Sequence, residues 1–265
     1  MNTLPKMIVF ITGAFLSHEC WQDWIVYYES KGYKCIAPPH PGKGGSPEEL
    51  RNRHPDAVIA SLRLNTLVSY YESIIKSLPG KPILIGHSLG GLIVQLLLQR
   101  NLAAAGVALH PFPSGCLSRH LPFIKSIWEA YGFFTSSNRS YMIPYKRWRK
   151  VIVNEILCDE SKQLYYQYAI PESKLLIRDA FKAMASIDFK AERGPLLLTS
   201  GGKDKLITPS LVYCNYEKYR NSHSITDYME FNTMNHLIFG HPLWSEEAGF
   251  VHAWLEQQDE HSLNS

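Results

Sequence analysis

The chain has 265 residues, 45% of them hydrophobic and 19% charged, with a formal net charge of +3. That balance can bury a sizeable core, which excludes a wholly disordered chain and leaves one large α/β domain with an insertion or two small domains. It also argues against a nucleic-acid partner, because the excess of cations is too small to displace counterions from phosphates.

The charge is unevenly spread. Residues 112–190 hold 12 Lys+Arg against 7 Asp+Glu, densest at Lys146, Arg147, Arg149 and Lys150. Such a run reads first as a solvated helix face and second as a lure for anionic substrates. Cys20, Cys35, Cys116, Cys158 and Cys214 are odd in number and widely spaced, so neither a disulfide framework nor a zinc site is expected, and a reducing cytoplasm fits best. The apolar run 7–16 is too short for a membrane span and lacks a signal-type cleavage site. From Gln257 onward the chain is polar, and disorder is expected there.

In chain order, residues 7–12 (Met-Ile-Val-Phe-Ile-Thr) form a β-branched and aromatic run closed by Gly13, the pattern of a strand buried on both faces of a parallel sheet. Over 20–31, Trp21, Trp24, Ile25 and Tyr28 recur at helical spacing, and Gly32 stands where a helix stops. Residues 33–37 read as a second strand, ended by Pro38-Pro39. After the Gly/Pro-rich loop 41–47, Val58, Leu62, Leu67, Tyr71, Ile74, Ile75 and Leu78 make one helical stripe over 56–78. Residues 82–86 give a third buried strand running directly into Ser88 and a helix over 89–101, and 105–109 supply a fourth strand.

The alternation breaks at His110. Residues 112–190 show no convincing buried strand but many aromatics, which suits a helical cap; the expected division is a core of 1–111 and 191–265 with a cap of 112–190. Sheet rhythm returns with a strand over 195–199, a helix over 209–219, a strand over 226–231 and a helix over 245–256. Strands alternating with helices predict an α/β fold, a mostly parallel central sheet flanked by helices.

A G-x-S-x-G pattern alone is weak evidence, but Gly86-His87-Ser88-Leu89-Gly90-Gly91 lies between an apolar strand and an apolar helix. That is the setting of a nucleophile elbow, in which flanking glycines permit a tight turn that lifts the serine Oγ above the sheet. The helix beginning at Leu89 offers unpaired amides and a positive dipole end to developing negative charge. The Leu89 amide is the natural first oxyanion donor, and the Ala14 amide, in the loop after the first strand, the second.

An acid and a histidine are expected in the order Ser, Asp/Glu, His, each at a strand's carboxyl end. No acid occurs between Ser88 and Glu129, so the early acid position is empty. Asp204, in Gly201-Gly202-Lys203-Asp204, is the candidate, with Asp227 weaker because it falls in a strand. His236 follows the last strand, with His241 its nearest rival and His252 on a helix. A neutral imidazole there can accept the serine proton and return it to a leaving group. Phe15, His87, His110 and Phe112 are the candidate substrate-pocket residues. Most cap rings are expected to pack the cap's own core.

These motifs together resemble the α/β-hydrolase superfamily, in its cap-bearing esterase-like and haloperoxidase-like branch. The resemblance runs from Val9-Phe10-Ile11-Thr12-Gly13-Ala14-Phe15 through Pro41-Gly42-Lys43-Gly44-Gly45-Ser46, the Ser88 elbow, Gly202-Lys203-Asp204 and Asn235-His236, with Pro171-Glu172-Ser173 and Arg178 in the cap. It implies a serine hydrolase acting on a carboxylic ester or thioester of a small, largely apolar molecule through an acyl-enzyme, with no cofactor and no metal. Ser rather than Asp at the elbow argues against dehalogenase and epoxide-hydrolase chemistry. Thr12-Gly13 replaces the His-Gly of most members, and Pro39-His40 the acid often found before the Gly-rich turn. Carbon–carbon cleavage, lyase or acyl-transfer chemistry on the same fold, a non-catalytic receptor, and a homodimer stay open.

Overall fold

The computed structural model describes residues 4–113, 136, 139–154, 156–183 and 187–264. The strands, in chain order, are β1 (Met7–Ile11), β2 (Lys34–Ile36), β3 (Ile83–His87), β4 (Ala105–Leu109), β5 (Ser140–Tyr141), β6 (Glu172–Ser173), β7 (Leu196–Gly201) and β8 (Thr226–Phe231). Six of them form one parallel sheet in the order β2-β1-β3-β4-β7-β8. Their continuous apolar runs arise because both faces are covered. Ile8, Phe10, Ile83, Ile85 and Val107 belong to one buried cluster, and Val9, Ile11, Leu84 and Ala108 to the other.

The first face is packed by α1 (Gln22–Ser30), with Trp24 and Tyr28, and by a long C-terminal helix, Trp244–Asn264, with Ala248, Val251 and Leu255. The opposite face takes the helix Leu64–Ser77, α5 (Leu89–Leu98) and the helix Pro209–Lys218. The chain leaves β1 for β2 on one side and returns to β3 on the other. The strand order therefore reverses at the β1/β3 boundary, the place where a parallel sheet opens a crevice at its carboxyl edge. The loops holding Gly13-Ala14 and Ser88 both begin there.

Several elements differ from their sequence-based outlines, each for a tertiary reason. The stripe over 56–78 is two helices, α3 (Ala57–Ser61) and α4 (Leu64–Ser77), with Leu62 extended between them at φ −63°, ψ 131°. The break lies where β6 docks, and the Ser173 hydroxyl contacts the carbonyls of both Ala60 and Leu62 at 3.1 and 2.7 Å. The loop 41–47 leads into α2 (Pro47–Asn52), opened by a capping box between Ser46 and Glu49 with Pro47 in its first turn.

Between β4 and β7 lie α6 (Tyr145–Val151), α7 (Cys158–Tyr168) and α8 (Lys174–Ala183), together with the antiparallel β5–β6 pair that the sequence did not announce. The sequence signal was too weak because each strand is two residues long. The last helices are α9 (Pro209–Lys218) and α10 (Trp244–Asn264), and α10 continues through most of the stretch expected to be disordered. Asp259 on it accepts from the Leu4 amide at 2.5 Å, tying the two ends of the chain together. Cys20, Cys35 and Cys158 are free thiols, whereas Cys214 is disulfide-bonded to a partner outside the described residues. A disulfide is thus present where the odd number and wide spacing of the cysteines gave no expectation of a disulfide framework. Among the described residues no helix is long and apolar enough to cross a membrane.

The elbow depends on backbone contact. A Cβ on Gly90 would stand 2.0 Å from the Ile11 carbonyl oxygen, and one on Gly86 2.3 Å from the Gly90 oxygen, distances that no side chain tolerates. Gly90→Ala is therefore expected to destabilise the fold by about 1–3 kcal/mol despite alanine's higher helix propensity. A lowered urea midpoint with unchanged m-value is the measurement that checks this.

Candidate active site

Ser88 sits between β3 and α5 with φ 53° and ψ −115°, a left-handed conformation costly for a residue with a Cβ. The surroundings impose it. The Ser88 amide donates to the Leu109 carbonyl at 2.9 Å, and its own carbonyl accepts from Gly91 at 3.0 Å and Phe112 at 2.8 Å. The turn thereby aims Oγ away from the sheet, at His236, whose Nε2 lies 3.1 Å away.

His236 Nδ1 is 2.7 Å from Asp204 Oδ2. The other Asp204 oxygen accepts from the Leu206 and Ile207 amides at 2.8 and 2.7 Å. Asp204 thus caps its own turn with Oδ1 while offering Oδ2 to the imidazole, so the structural and chemical readings of this residue fall on different oxygens. Burial alone would push its carboxyl up, but His236 and His110 beside it hold it well below the usual carboxylate range. Its ionised state is maintained, and the His236 Nδ1–H is donated to it.

The loop carrying His236 is held from below and from the side. His87 Nε2 lies 2.8 Å from the His236 carbonyl oxygen, an atom that only accepts, so His87 carries its proton on Nε2. Burial, then the neighbouring His236 and His110, lower the His87 pKa well below the ordinary histidine value, which keeps this ring neutral. From the inserted segment, the Asn154 carbonyl accepts from Asn235 Nδ2 at 3.1 Å and the Ile152 carbonyl from the Leu237 amide at 3.2 Å.

A small crevice beside Ser88 and His236 is lined by Ala14, Phe15, Leu16, Phe112, Ile152, Ile177, Leu206 and Ile207. Among the described residues no Lys, Arg, Asp or Glu lines it. Of the four residues expected to line a pocket, Phe15 and Phe112 do. His87 and His110 do not: both are fully buried behind Ser88 and His236, because the β3 and β4 ends that carry them turn their side chains into the protein. The Leu89 and Ala14 amides donate to no acceptor among the described residues. Thr12, at the start of the Ala14 loop, accepts from Trp21 Nε1 at 3.1 Å.

The rival residues have other work. Asp227 accepts from Trp254 Nε1 at 2.7 Å, His241 Nδ1 accepts from the Leu243 amide at 3.2 Å, and His252 packs against Tyr27, Tyr28 and Tyr33. One ligand atom from each of His110, Asp204 and His236 lies within 4.8 Å of the others, a spacing that could grip a cation. A cation there would take the Asp204 and His236 atoms that now bond to each other.

Sequence reasoning missed a buried ion pair next to the Ala14 loop. Lys43, 2% exposed, meets Glu172, 0% exposed, at 2.5 Å. Glu172 also accepts from the Phe15 amide at 3.2 Å and the Ser173 amide at 2.8 Å. Phe15 has φ 65°, so this carboxylate holds a strained residue next to Ala14 and joins the first-strand loop, the Gly-rich loop and β6. The one available signal was the presence of both residues in the recurring motifs around Pro41 and Pro171.

The family follows from the chain itself: the model of the alpha/beta hydrolase family matches residues 8–248, and the protein belongs to that family. Among solved structures, it is similar to a monoacylglycerol lipase of Paleococcus ferrophilus (22% identity, 98% of this chain and 96% of that one, TM-score 0.69). It is also similar to a methylesterase of Arabidopsis (18%, 93% and 98%, 0.66) and to tomato methylketone synthase I complexed with 2-tridecanone (13%, 96% and 99%, 0.67). At these identities the likeness is one of fold. No curated protein sequence matches the chain.

Two predictions come from the buried charges. Lys43→Met strands Glu172 and is expected to cost about 3–5 kcal/mol, whereas Lys43→Met combined with Glu172→Leu recovers part of that loss; a double-mutant cycle by urea denaturation reads the difference. Stability is also expected to peak near pH 6.5. Below it the unfolded chain takes up protons that buried His40 and His87, both well below the ordinary value, refuse in the fold. Each costs about 1.4 kcal/mol per pH unit. Above it the folded chain keeps a proton on His110, raised to about 9, which the unfolded chain has released, so that contribution drains away between 6.5 and 9. Denaturation midpoints at pH 5.5, 6.5 and 9 test both limbs.

Proposed function

We propose that the protein is a carboxylic-ester hydrolase that acts on a small, largely apolar ester or thioester through an acyl-enzyme on Ser88. The observation that carries this reading is the Ser88 Oγ–His236–Asp204 chain, at 3.1 and 2.7 Å, opening on an apolar crevice from a strained strand-to-helix turn. The family's membership and the lipase and methylesterase among its structural likenesses support ester hydrolysis in general terms.

In the proposed cycle His236 Nε2 takes the Ser88 proton as Oγ bonds to the substrate carbonyl carbon. The carbonyl electron pair moves to oxygen, and the Leu89 and Ala14 amides hold that oxyanion. Collapse breaks the bond to the leaving group, which takes the proton from His236. Water then gives its proton to His236 and attacks the acyl carbon, and Ser88 leaves with that proton. Asp204 keeps Nδ1–H in place and balances the transient imidazolium.

The apolar lining favours an acyl or alcohol part without charge. Residues 112–190 act as a cap in this reading: Phe112, Ile152 and Ile177 come from that stretch and face Ser88, while Ile152 and Asn154 hold the His236 loop. A fluorophosphonate probe is expected to form an adduct in the wild type and none in Ser88→Ala; absence of a Ser88-dependent adduct overturns the proposal. Against uncharged p-nitrophenyl esters, Ser88→Ala is expected to lower kcat by about 10⁴-fold or more and Asp204→Asn by about 10⁴-fold. An adduct without turnover on any ester would point instead to a receptor.

A further inference from the structure

His110 directly follows β4, at the strand end where the sequence offers no acid, and its backbone is left-handed with φ 44°. That strained turn puts a fully buried imidazole between two fully buried carboxylates. Nδ1 lies 3.5 Å from Asp204 Oδ2 and Nε2 3.6 Å from Glu247 Oε1, ion-pair distances on both sides of the ring. Glu247, in the first turn of α10, also accepts from the Thr199 hydroxyl at 2.6 Å. The ring sits close against Gly201, where an added Cβ would stand 2.7 Å from His110 Cε1.

The surrounding elements contribute three further titratable groups. His87 at the end of β3 has its ring centre 6.3 Å away and is neutral, and His236 after β8 is 6.4 Å away. His241, further along the same loop, is held below the ordinary value first by burial. Among the described residues the ion pairs recorded for Asp204 and Glu247 are with imidazoles, and two unbalanced carboxylates in the interior would be prohibitively costly.

We propose that His110 is a positioning residue of the site: a fixed imidazolium, bracketed by Asp204 and Glu247, that keeps Asp204 ionised and aimed at His236. Asp204 and Glu247 call for two positive charges, and His110 supplies one of them. The remaining single negative charge is balanced only when His236 takes the Ser88 proton, which is the moment balance is useful. Burial alone would lower the His110 pKa, but Glu247 and Asp204 outweigh it and raise it to about 9.

This inference rests on the Ser88 reading for its effect on turnover, yet its core is measurable in the resting protein. Nitrogen-15 NMR of the histidines in the wild type is expected to show His110 doubly protonated at pH 7. A neutral His110 overturns the proposal, whatever the outcome of fluorophosphonate labelling. In His110→Gln, loss of one positive charge about 6 Å from His236 is expected to raise the acid limb of the kcat/KM profile by about one to two pH units. A purely packing role would lower stability or overall rate with that limb unmoved, and an unmoved limb likewise overturns the proposal. If labelling fails but His110 proves protonated, the hydrolase reading falls and the charge assignment stands.

Discussion

The contact of Gly90 with the Ile11 carbonyl is the constraint on which the rest of the site depends. Because backbone meets backbone there, α5 enters the sheet closely enough that β3 can turn straight into it. The turn forces Ser88 into a left-handed conformation, and the hydrogen bonds from its amide to Leu109 and to its carbonyl from Phe112 keep it there. Strain at one residue is thus maintained by the packing of three strands and a helix, which is how a fold can hold an unfavourable dihedral at a site. The same geometry brings the loops after β1 and β3 together at the reversal of strand order, so Ser88 and Ala14 line one crevice.

Around that turn the interior carries more charge than an apolar core usually contains. Asp204, Glu247 and His110 form one group beneath His236, and Lys43 with Glu172 another beside the Ala14 loop. Such groups are weak sources of stability but demanding in geometry, since each must be paired and hydrogen-bonded or cost several kcal/mol. Here they fix loops rather than helices. Glu172 ties the Phe15 amide to β6, and His87 and Asn154 restrain the His236 loop from opposite sides. Residues between β4 and β7 therefore do two things at once: Phe112, Ile152 and Ile177 line the crevice, and Ile152 and Asn154 hold the His236 loop.

Much of the sheet was legible because its signals are local. Strands buried on both faces read as unbroken apolar runs, and the β4 and β8 bounds match the sequence outline residue for residue. The stripe over 56–78 was read as one helix because its periodicity passes through Leu62; the break comes from Ser173, more than a hundred residues away. His110 and Ser88 both directly follow strands and both have positive φ, yet only Ser88 was flanked by the glycines that advertise such a turn. His110 was consequently placed in the pocket, whereas it lies behind the site.

The sequence by itself determined the alternation of strands and helices, the position of the elbow and the ordered set Ser88, Asp204 and His236, because these are written in short-range periodicity and in turn residues. Only the tertiary structure decided which charges meet. Lys43 finds Glu172, Asp204 is shared between His236 and His110, and Glu247 arrives from the last helix. These pairings join residues tens to hundreds of positions apart, and a buried charge leaves no periodic trace. Its partner is chosen by which strand ends the sheet order places side by side.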